Sequence, residues 1–517
     1  MSDEPIIDPP LRLSRHDRLQ LELVVKHPPL DITQKQVTLD LELWFYLPPA
    51  VGIDAERYSR PDFYRDLRTR TRLHVPDLPL RALADPAGTN SPLGVLHALR
   101  REAAPKRMKR SLRDDIRQEA RLLAYSYRSA SQLLLDQLDW LEGEEAGEVG
   151  AELAEQTALL LEHFRSFLVA ISVLKIGGKT RRCLSYCEEY LSLQAEQRCA
   201  RALLVRAEQS STAPDIAALR AVAQEERQWR ATQGMRSVLS AGARGDDDRD
   251  AAYLDQSSLL KKYTAAGLYL TSREGKMRGL ADQVIGGIAA AVAMTWAVGV
   301  QILLVVAFGL ELSRGMSMGL ISAFTAAAIF AYILKDRIKA KANAVLTRWM
   351  SSRLFDREQH LFIDGGSAPL ANISERVSFI SPDRVPAEVH RTRIVTARSA
   401  LIAEADAAIL YYRRRLRVSP RAATRQFPRF DGIKDILRLN VWGWIRSLAE
   451  DKKPVVFLDA KGRPRQRQAP NRYIVDVLAR YTVYSPNTPP RQWITKTRVI
   501  LTRRGIQDVR DIPPDPD

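Results

Sequence analysis

The sequence predicts a mainly α integral membrane protein: a two-helix transmembrane hairpin, an α-helical cytoplasmic bundle, and small antiparallel β-modules from the N- and C-terminal segments. Three observations carry this reading. Residues 284–310 and 315–334 are free of charge, the segment from about residue 106 towards the hairpin repeats apolar side chains every three or four positions, and residues 19–45 and 437–501 alternate apolar with polar. The first pattern is that of bilayer spans, the second of amphipathic helices and the third of half-buried strands.

The uncharged runs hold 27 and 20 residues, separated by the polar break Glu311–Arg314. About 20 apolar helical residues cross a hydrocarbon core of roughly 30 Å. Lys261, Lys262, Arg273, Lys276 and Arg278 precede the first run, and Lys335, Arg337, Lys339, Lys341 and Arg348 follow the second. Cytoplasmic flanks hold the Lys/Arg excess, so the expectation is a multi-pass protein of the inner (cytoplasmic) membrane with both termini cytoplasmic. Small residues recur every four positions in each run: Gly287, Ala291, Thr295 and Gly299 in the first, Gly319, Ala323, Ala327 and Ala331 in the second. Such ridges let helix backbones approach closely and mark the expected packing face. Gln301 is the strongly polar side chain inside a span, with Ser322 and Thr325 at similar depth on the other helix. An intramembrane polar group seeks a partner, so these three form a staple or line a pore.

Taken in order, residues 1–100 form an N-terminal, strand-containing cytoplasmic segment. Leu19, Leu21, Leu23 and Val25, then Val37, Leu39, Leu41, Leu43 and Phe45, share one face each, and Pro48-Pro49 ends the second strand. Residues 101–280 form the helical bundle. Its helices are read from the stripe Leu112, Ile116, Ala120, Leu123, Tyr127, Ala130, Leu134 and Leu138; from Leu160, Phe164, Phe167, Ile171 and Leu174; and from about 181–208, from Pro214 to Trp229 and from about 251. Gly143–Gly150 is read as a break and Gly177-Gly178 as a stop. The hairpin occupies 281–335. Residues 336–417 are expected to extend it as cytoplasmic helices ending in Arg413-Arg414-Arg415-Leu416-Arg417, and 418–517 to form a basic, β-rich cytoplasmic domain. The N- and C-terminal strands are expected to pack together.

The net charge of +17 lies wholly after residue 334, where 36 Lys and Arg face 19 Asp and Glu. Anionic lipid attracts juxtamembrane basic residues at about 1 kcal/mol each, and phosphate neutralisation drives nucleic-acid binding. The basic surface is read as Arg413, Arg414, Arg415 and Arg417, followed by Lys461, Arg463, Arg465 and Arg467. Anionic membrane lipids are the first expected partners, a protein partner or self-association the second, and nucleic acid the third.

No catalytic, cofactor or metal site is expected. Ile176-Gly177-Gly178-Lys179-Thr180 ends like a phosphate-binding loop, but Val173 stands where the full pattern needs glycine. Asp246-Asp247-Asp248 lies between Arg244 and Arg249, as a solvated linker would, and the seven histidines are scattered. Cys187 and Cys199 fall on the apolar face with Leu184, Leu191, Ala195 and Leu203, which makes them core residues. The expected function is an inner-membrane anchored cytoplasmic scaffold, sensing or partner-binding protein. The alternatives are an oligomeric channel or transport component lined by the hairpin and a membrane-tethered nucleic-acid-binding protein.

Overall fold

The computed structural model describes residues 10–512 except 28–29, 32, 76, 103–107, 210–213, 236–246, 276, 313–317, 352–354, 364–367, 395–406, 428 and 487. It divides into two compact units: Met1–Thr71, Leu270–Pro428 and Ile433–Asp517 form one, Arg72–Tyr269 and Arg429–Gly432 the other.

The first unit is organised on β3 (Val37–Leu47), whose apolar alternation fits a strand and which is buried over most of its length. Strands β1 (Leu11–Arg15), β2 (Gln20–Lys26) and β4 (Leu67–His74) also come from the N-terminal region, with α1 (Arg60–Asp66) closed by a Ser59–Asp62 capping box. The later strands are β5 (Thr271–Glu274), β6 (Arg357–Phe362), β7 (Ala371–Ile380), β8 (Ala408–Val418), β9 (Gly432–Asn440), β10 (Lys452–Leu458), β11 (Pro464–Pro470), β12 (Tyr473–Ser485), β13 (Thr488–Thr502) and β14 (Gly505–Ile512). Eight of them form one sheet in the order β14-β13-β12-β3-β8-β7-β6-β5; four form a second in the order β1-β2-β9-β4; β10 and β11 pair alone. Leu43 of β3 lies opposite Ala479 on one side and Tyr412 on the other, and Leu23 of β2 opposite Leu437. The N- and C-terminal strands are thus directly hydrogen-bonded to one another. The two larger sheets face each other across Leu21, Leu23, Leu437 and Leu439 on one side and Leu43, Phe45 and Val477 on the other. The same unit contains α9 (Met277–Leu312) and α10 (Met318–Ser351), which pack together, and the shorter helix Ala387–Ile394.

The second unit is helical: α2 (Leu80–Ala84), α3 (Pro92–Glu102), α4 (Arg110–Leu138), α5 (Gly143–Ser172), α6 (Gly178–Gln209), α7 (Pro214–Thr232) and α8 (Asp247–Ala266). One apolar core joins Ile116, Leu123 and Tyr127 of α4, Leu160, Phe164 and Phe167 of α5, and Cys187, Leu191 and Cys199 of α6. All three cysteines are free and buried.

These elements overturn the mainly α fold class. The chain is mixed, 52% helical and 29% strand, with large antiparallel sheets in place of small β-modules. A helical bundle describes only part of it. The multi-pass topology, with both termini cytoplasmic in the inner membrane, is overturned with it. Among the described residues one helix is long and apolar enough to cross a bilayer, Gln283–Leu303. In the second run α10 starts at Met318 and meets charge at Lys335, and several side chains between them lie outside the described residues, so a second span is not supported among the described residues. The turn residues 313–317 lie outside the described residues. Gly143–Gly150 is not a break but the first turns of α5. Residues 336–417 are not a helical extension throughout either: β6 and β7 fall within them, and Arg413–Arg417 belong to strand β8.

Candidate functional site

The largest exposed apolar surface among the described residues is on α9. Residues 283–303 have a mean hydropathy of 1.7, yet only 17% of that window is buried. Val284, Val292, Met294, Val298, Ile302, Leu303, Val305 and Val306 all expose roughly half of their surface or more. Individual exposed leucines are ordinary, but a continuous apolar helix face is not. The buried stripe of α9 is Ile285, Ala289 and Ala293. It sits two positions, or about 200° at 3.6 residues per turn, from the ridge Gly287, Ala291, Thr295 and Gly299. A side chain added at Gly287 or Gly299 would meet nothing within 4 Å. On α10, Ala327 and Ala331 are half-buried, Gly319 is exposed, and the Ala323 side chain lies outside the described residues. Gln301 is exposed. The Thr295 hydroxyl donates to the Ala291 carbonyl at 3.0 Å and the Ser322 hydroxyl to Gly319 at 2.9 Å, so both serve their own helix; Thr325 is exposed and also partnered.

The second exposed apolar element is the β10–β11 hairpin. In its register Val455 opposes Arg467 and Phe457 opposes Arg465, placing two apolar and two basic side chains on one face. Val456 and Leu458, on the other face, are 70% and 69% exposed. A lone two-stranded hairpin is marginal in water, and here both faces are bare. Lys461 and Arg463 lie at its tip; the Asp459 carboxylate accepts their backbone N–H groups, each at 2.9 Å, and pairs with Arg465 at 3.3 Å. Backbone donation from Arg463 and Lys461 holds the Asp459 carboxyl below its usual range.

The arginines of β8 have a different environment. Arg414 is 2% exposed and bonds Asp435 of β9, Glu375 of β7 and the Thr71 hydroxyl of β4. Thr71 also donates to Asp435 at 2.5 Å, and Tyr412 donates to Glu375 at 2.6 Å. Burial opposes ionisation of Asp435, but the Arg414 guanidinium and His27 hold its carboxyl well below the usual carboxylate range. Arg413 and Arg415 both bond Asp40 of β3. The strand period explains the split: Arg414 points between the sheets while Arg413 and Arg415 point to the opposite face. Arg417 is exposed. Three of the four β8 arginines expected to meet lipid or nucleic acid are therefore engaged in intramolecular ion pairs, and the hairpin arginines remain at the surface.

The sequence reading missed the buried network altogether, because a Glu and an Arg at inward strand positions read as solvent-facing. It also missed the exposure of the short apolar run Val455–Leu458. Among the described residues no group of three or more His, Cys, Asp or Glu side chains is placed to hold a metal. No family model, no curated protein and no solved structure matches this chain.

Proposed function

We propose that this chain is a non-enzymatic, lipid-associated scaffold. Helix α9 lies in lipid hydrocarbon, the basic and apolar face of the β10–β11 hairpin rests against anionic headgroups, and the folded units serve as platforms for a protein partner. The observation that carries the reading is the exposed apolar face of α9: over 21 residues it leaves most of its surface unburied. At 1.5 Å per residue that segment measures about 30 Å, close to the thickness of a hydrocarbon core. Removing apolar surface from water is worth about 25 cal/mol per Å², which makes water the least favourable surrounding for this helix. The hairpin supports the reading, since Val455 and Phe457 beside Arg465 and Arg467 match an interface of acyl chains and acidic headgroups.

Flotation of the purified full chain with liposomes tests it. The protein should rise with vesicles. Replacing Val298 and Ile302 by Asp should leave it in the dense fraction while the far-ultraviolet circular dichroism is kept. Co-flotation that survives this double substitution would refute α9 as the lipid contact. A second reading, nucleic-acid binding, is favoured by the Phe457–Arg465–Arg467 face alone. Tight binding of single-stranded RNA without lipid, lost on replacing both arginines by Gln, would select it.

A further inference from the structure

The Gly-Lys-Thr segment of the helical unit, left without a role by the lipid reading, forms one wall of a pocket of about 390 Å³. Its other wall is the first two turns of α4. Arg110, Arg113 and Arg117 recur at three and four residues, which places them on one helix face. Helix α5 ends at Ser172, and the chain turns at Gly177 with φ +80° before α6 starts at Gly178. A Cβ at Gly177 would lie 3.1 Å from the Arg113 guanidinium. Glycine there permits both the positive φ and the close seating of the arginine.

We propose that this pocket binds the di- or polyphosphate group of a soluble ligand. Among the described residues four cationic side chains, Arg110, Arg113, Arg117 and Lys179, line it, against one carboxylate, Asp114, which pairs with Arg117. That charge excess in a concavity is the requirement for a multiply charged anion. The first N–H groups of α6 have no partner within the helix, and its dipole favours negative charge at this end. Thr180 supplies an independent sign of a ligand: it is only 2% exposed, lines the pocket, and its hydroxyl makes no hydrogen bond among the described residues. A phosphate oxygen would satisfy it. The size of the ligand follows from the spacing. Arg110 to Arg117 spans about 10 Å at 1.5 Å per residue, more than one phosphate reaches. Among the described residues no aromatic ring lines the pocket, so a base finds no stacking surface there and the phosphates carry recognition. The volume lies in the range of small-molecule sites.

Calorimetric titration of the full-length protein with pyrophosphate, ADP and adenosine tests the assignment. Pyrophosphate and ADP should bind and adenosine should not. Lys179 and Arg110 are exposed, so Lys179→Gln and Arg110→Gln keep the fold; each should weaken pyrophosphate binding about tenfold, the loss expected for one charge-assisted hydrogen bond. Added salt should weaken binding further. Absence of pyrophosphate binding, an affinity unchanged in both variants, or adenosine competing with pyrophosphate would each overturn it.

Discussion

Replacing Arg414 by Met is the most informative perturbation of the β-rich unit. The side chain joins the two large sheets: it sits on β8 of the eight-stranded sheet and bonds Asp435 on β9 and Thr71 on β4 of the four-stranded one. Its side chain is 1% exposed, and those of Asp435 and Glu375 are 4% and 2% exposed. Met fills most of the volume but leaves two carboxylates without their cation. Removing one partner of a buried pair costs about 3–5 kcal/mol, because the remaining charge stays desolvated. That is a large share of a typical stability of about 5–15 kcal/mol. Urea denaturation followed by near-ultraviolet circular dichroism should show the loss at pH 7. The sign with pH is fixed. In the parent protein the Asp435 carboxyl is depressed, so its contribution is present above the unfolded value and is lost as pH falls. In the variant the uncompensated Asp435 is relieved by protonation. Both effects narrow the gap between the two proteins in acid. A variant within about 1 kcal/mol of the parent at pH 7, or a gap that does not change with pH, would refute the claim that Arg414 neutralises this core.

Two further predictions concern single groups. Thr495 lines the narrow cavity of about 30 Å³ between the two large sheets, and its hydroxyl has no hydrogen-bond partner there; Thr495→Val should stabilise the protein by about 1 kcal/mol in the same denaturation assay, since an unsatisfied buried polar group costs about 1–3 kcal/mol. Burial raises the Glu188 carboxyl to about 7, with Arg165 opposing. A raised carboxyl favours the folded state below its unfolded value and loses that contribution as pH rises towards 7, so Glu188→Gln should gain stability relative to the parent between pH 5 and 8, by less than about 1.4 kcal/mol per pH unit. Arg165 keeps its paired bonds to Glu226 at 2.8 and 2.7 Å in that variant.

Much of the helical unit was legible, because its stripes are uninterrupted: Ile116, Leu123 and Tyr127, or Leu160, Phe164 and Phe167, mark cores by spacing alone. Strands β2, β3, β9, β12 and β13 were equally plain, having a clean period of two. Strands β7 and β8 were not, and one interaction hides both. Their inward rows are Ile373, Glu375 and Val377, and Tyr412, Arg414 and Leu416. Glu375 and Arg414 pair with each other inside the core, so each breaks the apolar row of its own strand and a sequence pattern reads loop or helix end. The membrane reading overreached because it read two spans from absence of charge alone: among the described residues one helix, Gln283–Leu303, is long and apolar enough to cross a bilayer, and it accompanies large antiparallel sheets. The Gly-Lys-Thr wall of the pocket showed in the sequence as a fragment of a phosphate-binding pattern, but its arginine wall did not, since Arg113 and Gly177 meet only in the folded chain.

The central claim, that the α9 face is covered by lipid, is tested most directly through Trp296, which lies midway along that helix and is 40% exposed. The full chain would be bound to vesicles whose acyl chains carry bromine, and its fluorescence compared with that of Trp296→Phe. A quenched component at hydrocarbon depth that disappears in the variant is the predicted result. Equal quenching in both proteins, or none in either, would contradict it.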